Sequence, residues 1–554
     1  MRSARRRSLE LGLFAVLFVT YAYFFQGGGW NQNGRFAQVR SLVEDGRFAI
    51  DDFLVYRARS TAGGPVLERH PLPPELPFRR VPRIASSGDL ALHPERHEVY
   101  PIKPPGTVLL AAPAYLSALV VERLFGVSPD GWAALTFNAY WTTLFSAGLA
   151  GATLGVLLLV TSRRLFPELP DRRHLAAALA LGLATLVLPF ATALFDHVPT
   201  AAGAFLAFYC VLRARGTGGA IASRRAALWL LAGGLAAGFA VVSNYMAAAL
   251  AAIVGGYAVS VVRPRRRAAW YVVGALPWAA FLAAYHELAF GSPFTVANLH
   301  AHEHFASEGE LLGAFGAPEA DVLWRLLVSE HRGLLFTSPV LALALVPGLW
   351  WLARRGRRAE AIVCLLAFLS LWLTNGAFNF WHAGWSIGAR FLVPALPFLA
   401  LGLAPVFDRL PRLTAATAAV SALMLLFATG VDMQPPPDFE RPFRDYLLPL
   451  ARGEEVTVAR SPVSGRVSAN GIGFYEGWYY STFPRGSRQA RWNSFNLGEV
   501  AAPGSPLSLL PIVLFLAVGL PLLWRWAGGS RQRPGGNAGP GRKSAASEGL
   551  SWHR

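Results

Sequence analysis

Residues 226–242 read Ala226-Ala-Leu-Trp-Leu-Leu-Ala-Gly-Gly-Leu-Ala-Ala-Gly-Phe-Ala-Val-Val242, without one charged side chain. A helix on the surface of a soluble domain carries a polar stripe every 3.6 residues, and this stretch has none. At about 1.5 Å per residue, such a helix covers most of a hydrocarbon layer roughly 30 Å thick. Comparable apolar runs recur near 9–25, 134–161, 175–194, 198–213, 246–262, 268–288, 338–353, 359–375, 391–407, 413–431 and 506–526. Length alone would allow three or four soluble domains; composition excludes them. Hydrophobic residues make up 53% and charged residues 15%, and mean hydropathy is +0.37. The expected fold class is an all-α polytopic membrane protein with about twelve transmembrane helices.

The arginines set the orientation. They cluster between apolar runs, at Arg163/Arg164 with Arg172/Arg173, Arg213 to Arg225, Arg263 to Arg267, Arg354 to Arg358, Arg409/Arg412, and in the tail from Arg525. With the N-terminus inside, alternation puts all six loops in the cytoplasm, as the positive-inside rule requires. Both termini are then cytoplasmic and the protein sits in the plasma (inner) membrane. One apolar segment, 106–124, is left out of the count, because including it would invert every later loop. It follows Lys103-Pro-Pro-Gly106 and carries Pro113, Glu122 and Arg123, which fits a helix at or dipping into the outer face. The organisation is therefore a transmembrane region (1–431) with a long first outer loop (26–133), an outer loop at 432–505, a last span at 506–526 and a disordered basic tail at 527–554.

The formal charge of +18 invites a nucleic-acid reading, but its distribution is that of topology signals. Cys210 and Cys364 both fall inside predicted spans, so neither a disulfide framework nor a zinc site is indicated. Residues 1–25 pair a basic start with an apolar run and no small-residue cleavage site, which reads as an uncleaved span. No internal repeat is present, which weakens an inverted-repeat transporter reading.

Candidate chemistry gathers on the outer side. The first loop holds Trp30-Asn-Gln-Asn-Gly-Arg35, a short helix containing Glu44, then Asp51-Asp52, Ser87-Gly-Asp89 and Tyr100-Pro-Ile-Lys103-Pro-Pro-Gly106. Its carboxylates Asp89, Asp51 and Glu44 are candidate general bases, against capping or plain solvation as the simpler roles. Lysine is rare here. Of 51 basic residues only Lys103 and Lys543 are lysines, so a compact ammonium beside a phosphate is one reason for arginine not to have replaced Lys103. Arg390 stands at an outward-facing helix end, against the general trend, and anion binding explains the exception. Lys103, Arg390 and Arg35 are the candidate phosphate holders. Asn31, Asn33, Tyr100, Asp196, His197 and His382 are candidates for the rest of the substrate; Asp196 and His197 sit where ionisable groups are costly unless they line a polar cavity. His300, His302 and His304 alternate around Glu303, but no well-spaced partner supports a metal site there. A divalent cation is not required by anything in the sequence.

The order of these pieces resembles the GT-C glycosyltransferases, and more narrowly the bacterial protein-mannosyltransferase or ArnT type, including dolichyl-phosphate-mannose–protein mannosyltransferase-like members. The resemblance covers roughly 9–431. It rests on Asn31-Gln-Asn-Gly-Arg35, Gly88-Asp89-Leu-Ala, Tyr100 to Gly106, His331-Arg-Gly-Leu-Leu-Phe-Thr-Ser-Pro339 and Trp381-His-Ala-Gly-Trp-Ser-Ile-Gly-Ala-Arg390. It implies a sugar donor on a polyprenyl phosphate, used at an outward-facing site to modify a glycan, lipid or protein acceptor. An acid of the first loop would deprotonate the acceptor while basic residues hold the phosphate. Many members carry an Asp-Glu pair soon after the first span, where this chain has Asn31-Gln32-Asn33. That moves the expected base to Asp89, with Asp51 behind it. The alternatives are a transporter or flippase for a lipid-linked or anionic substrate, and a non-catalytic scaffold for envelope assembly.

Overall fold

The computed structural model describes residues 2–454 and 494–528, apart from 28, 55, 62–63, 70–86, 88, 97, 216–219, 302–310 and 503–504; between 455 and 493 it describes only 456–457 and 466–467. His302, Glu303, His304, Gly88 and the tail beyond 528 lie outside the described residues.

The chain is helical. Helix α1 is Arg2–Ala22, α2 Trp30–Glu44, α3 Gly106–Leu124, α4 Ala133–Leu165 and α5 Asp171–Leu183. Then come α6 His197–Ala214, α7 Ala220–Ser243, α8 Ala247–Val261, α9 Ala269–Phe290 and α10 Ala320–Val328. The series closes with α11 Val340–Arg354, α12 Arg358–Gly376, the pair α13 Arg390–Ala400 and α14 Leu403–Arg409, α15 Pro411–Val431 and α16 Leu510–Gly528. Among the described residues, seven helices are long and apolar enough to cross a membrane, or eight if the α13–α14 pair, bent by 57°, is one span. The other expected stretches are helical over part or all of their length but do not meet that test of length and composition. Close crossings rely on small residues: at the α11–α14 crossing a Cβ on Gly348 would stand 3.0 Å from the Gly402 Cα.

Side-chain contacts define two ends. At one, Arg163 pairs with Glu10 (2.7 Å) and Asp171 (2.8 Å), and Arg355 pairs with Glu168 (2.7 Å) and Asp408 (3.1 Å). Arg5 donates to the Trp526 carbonyl there. The start of α1, the α4–α5, α11–α12 and α14–α15 turns and the close of α16 thus share one basic end. At the other end, strand β1 (Phe24–Gln26) pairs antiparallel with Ser494–Asn496. The Gln26 amide bonds the Thr192 carbonyl at 2.9 Å and the Gln26 side chain bonds the Thr429 carbonyl at 2.8 Å.

Helix α3 passes the length and composition test for a span, yet both its ends lie at this second end. Gly106 packs on Ser243 at the close of α7, and Glu122 accepts a 2.9 Å bond from Asn138 near the start of α4. Beside it runs the polar helix α2, with Phe36 edge-on to Tyr115. That geometry explains why leaving 106–124 out of the alternation keeps the arginine clusters on one end.

Candidate functional site

The centre of the second end is Asp196, only 1% exposed. It occupies the position before α6 but makes no side-chain cap bond. Its Oδ2 lies 3.1 Å from the Arg35 Nη2 and accepts a 2.9 Å bond from the Asn244 side chain. Its Oδ1 is 3.3 Å from the His197 Nδ1. Arg35 comes from α2, Asn244 from the α7–α8 turn and His197 from α6. Three segments far apart in sequence therefore meet on one carboxylate.

Two further cations face the same spot. The ammonium of Lys103 lies 5.7 Å from the centre of the Phe391 ring. The Arg390 guanidinium lies 5.4 Å from that same ring and 4.9 Å from Phe195. The Phe391 ring also meets His197 edge-on at 5.6 Å. Lys103 is in electrostatic range of Asp196, Asp89, Arg390 and Arg35. Burial depresses its pKa from the ordinary lysine value, an effect Asp196 and Asp89 oppose. For Asp196 burial pushes upward, but Arg35, His197, Lys103 and Arg390 together hold the carboxyl below its usual value.

Asp89 stands just before strand β2 (Leu90–Leu92), which pairs with β3 (Val99–Pro101). The Ile102 amide bonds the Asp89 carbonyl at 2.9 Å, so the hairpin itself carries Asp89 and Lys103 side by side. Asn31 donates to the Asp89 Oδ2 at 3.0 Å. Gly106 closes the arrangement. A Cβ there would lie 2.6 Å from the Ser243 amide nitrogen, so only glycine lets the start of α3 press against the α7–α8 turn.

The site is short of acceptors. Arg35 is 1% exposed, yet its guanidinium nitrogens have no hydrogen-bond acceptor of good geometry among the described residues; its attraction to Asp196 is electrostatic. Among the described residues the buried hydroxyls of Thr107, Thr200 and Ser243 are also without partners. Three cations face two carboxylates, leaving a positive excess in a poorly hydrated place. A buried cation lacking acceptors costs several kcal/mol, which an anion with several oxygens would offset.

The other sequence candidates lie apart from this cluster. Glu44 is bound by Arg40 (2.8 Å) and the Tyr115 hydroxyl (2.5 Å), and Arg40 also holds Asp130 at 2.7 Å. That group ties α2 to α3. Asp51 accepts from the Val99 amide at 3.2 Å, and burial raises its pKa. Tyr100 donates to Glu98 at 2.8 Å. His382 accepts from the Gly384 amide at 3.0 Å. Asn33 belongs to the first turn of α2, its amide bonded to the Gly29 carbonyl. Of the acids proposed as base, Asp89 alone shares the cation cluster.

Two residues had no role assigned from sequence. Asn244 was legible as the middle of Ser243-Asn244-Tyr245, a polar triplet between two apolar runs. Arg332, fully buried, bonds the carbonyls of His382 (2.7 Å), Gly384 (2.7 Å) and His331 (2.9 Å). It thereby shapes the loop that delivers Arg390. Among the described residues no group of His, Cys, Asp and Glu is arranged to hold a metal.

Fold and site together define a polytopic helical membrane protein with a cluster of cationic side chains gathered at one end. No family model matches the chain, and no curated protein does. Among solved structures it is similar to ArnT from Cupriavidus metallidurans bound to undecaprenyl phosphate, at 14% identity and TM-score 0.47 over 94% of this chain and 75% of that one. The apo state of that ArnT gives 16% identity and TM-score 0.45 over 95% and 77%. The Archaeoglobus fulgidus oligosaccharyltransferase gives 13% identity and TM-score 0.40 over 76% and 54%.

Proposed function

We propose that the chain is a GT-C-type membrane glycosyltransferase that moves a sugar from a polyprenyl-phosphate donor to an envelope acceptor, a glycan, lipid or protein. The observation that carries this is the meeting of Arg35, Lys103 and Arg390 around Asp196 and Asp89, with the nitrogens of buried Arg35 lacking acceptors of good geometry among the described residues. In this reading the donor phosphate lies among the three cations, where charge-assisted bonds stabilise it as it leaves. Asp89 takes the proton of the acceptor hydroxyl, whose oxygen bonds the anomeric carbon. The bond from that carbon to the phosphate oxygen breaks, and its electron pair stays on the phosphate. Asp196, occupied by Arg35 and Asn244, is the counter-charge that orients the cations.

A transporter or flippase reading is less well supported, because these ionisable groups gather at one end and not along the middle of the spans. The basic end faces the cytoplasm in this proposal, with the site on the outer side of the plasma membrane. In intact cells, a cysteine introduced at Ser60 should react with an impermeant thiol reagent, while one at the exposed Arg164 of the basic end should be protected. The opposite pattern would invert the orientation. For the activity, a deletion strain should accumulate a polyprenyl-phosphate sugar, and purified protein should bind undecaprenyl phosphate. Unchanged lipid-linked sugars together with no binding would refute the enzyme reading.

A further inference from the structure

A cavity of about 540 Å³ opens on the flank of the bundle between α5, α15 and α16. We propose that it binds an acyl chain of an anionic phospholipid whose phosphate is held by Arg525 and Arg172.

The cavity exists because its walls are small. Ala176 and Ala180 stand four residues apart on α5 and so share one face, with Ala184 at its C-terminal cap, and Ala418 and Ala422 share a face of α15 in the same way. Pro521 of α16 stands opposite. An unfilled apolar groove leaves its lining atoms without dispersion partners, and in a bilayer the material at hand to fill it is a hydrocarbon chain.

Charge selects the head group. Arg525 lines the cavity toward the basic end. Arg172 is beside it, 5.3 Å from the Trp524 ring and donating to the Trp524 carbonyl at 3.2 Å. Among the described residues neither arginine has a carboxylate partner. The nearby acids are already taken: Glu10 and Asp171 by Arg163, Glu168 and Asp408 by Arg355. No acid lines the cavity. A net anionic head group complements the two guanidiniums, whereas a zwitterionic one brings a compensating cation with it. The cavity's cations lie at the opposite end of the bundle from Arg35, Lys103 and Arg390, so this lipid is not the proposed donor.

The test uses delipidated full-length protein in detergent, with phosphatidylglycerol or phosphatidylcholine added and bound lipid counted by native mass spectrometry. One phosphatidylglycerol should be retained in clear preference. Arg525→Gln, at an exposed position, should weaken that retention about fivefold, the effect of one arginine near an anionic lipid. Ala180→Phe should abolish it by filling the groove; should that variant fail to fold, Ala422→Leu is read in its place. Equal retention of both lipids, retention unaffected by Arg525→Gln, or retention surviving a groove-filling change would each overturn the proposal. A lipid-free dimer that the same groove-filling change dissolves would overturn it too, by assigning the groove to a second copy.

Discussion

The two ends of the bundle treat charge in opposite ways. At the basic end Arg163 and Arg355 each meet two carboxylates, with exposures of 11% and 21% for the two arginines. At the site end Arg35 is 1% exposed against an equally buried Asp196, and among the described residues its nitrogens have no acceptor of good hydrogen-bond geometry. Partly exposed pairs are worth about 0–1 kcal/mol each, so Arg163 and Arg355 need no ligand to account for them. A buried cation cluster with a positive excess is destabilising by itself. Charge that the fold leaves uncompensated marks where an anion belongs.

The sharpest way to break this contrast is at Asp89. Asp89→Asn keeps the shape and removes the basicity, so turnover should fall by about two or more orders of magnitude while donor binding persists. A near-normal rate in that variant, with Asp51→Asn or Glu44→Gln inactive, would move the base out of the cation cluster. Lys103 comes next. Lys103→Ala should weaken undecaprenyl phosphate binding about tenfold or more, and Lys103→Arg should restore it poorly, because a planar fork does not replace a point charge. Unchanged affinity in both variants would make Lys103 a structural residue.

A pH titration sharpens the same point. Burial lowers the pKa of Lys103, so its charge is present at low pH and lost as pH rises through a value below the ordinary lysine one. Donor binding should therefore weaken on the alkaline side earlier than a surface lysine would predict. In Lys103→Arg, whatever binding remains should lack that alkaline limb, since guanidinium stays charged. The smallest effect belongs to the basic end. Arg355→Gln should change thermal stability by about 1 kcal/mol or less and leave donor binding untouched. A large loss of binding there would mean that the two ends are coupled.

Much of the site was legible because rare residue types stood out. Lys103 was conspicuous in an arginine-rich chain, and Arg390 by lying at the wrong kind of helix end; both face the cluster. Asp196 was visible as an ionisable group between spans, but its partners were not, since a pairing across 161 positions leaves no periodic trace. By residue type alone Glu44 and Asp51 stand beside Asp89 as acids of one loop, and the ranking of Asp89 ahead of them rests on the resemblance. Packing separates them: Arg40 and Tyr115 occupy Glu44, and the Val99 amide holds Asp51.

By itself the sequence determined the solvent and the orientation logic of this protein. Hydrocarbon tolerates only helices whose backbone bonds are satisfied internally, so apolar length marks a helical membrane protein and arginine placement groups its basic turns at one end. Convergence was decided by tertiary structure alone. Whether α3 crosses or returns depends on where Gly106 and Glu122 find Ser243 and Asn138. Whether three cations share one carboxylate depends on the meeting of α2, the β3–α3 turn, the start of α6 and α13. Contacts between distant segments are set by shape complementarity and polar satisfaction in three dimensions, which no local pattern of residues encodes.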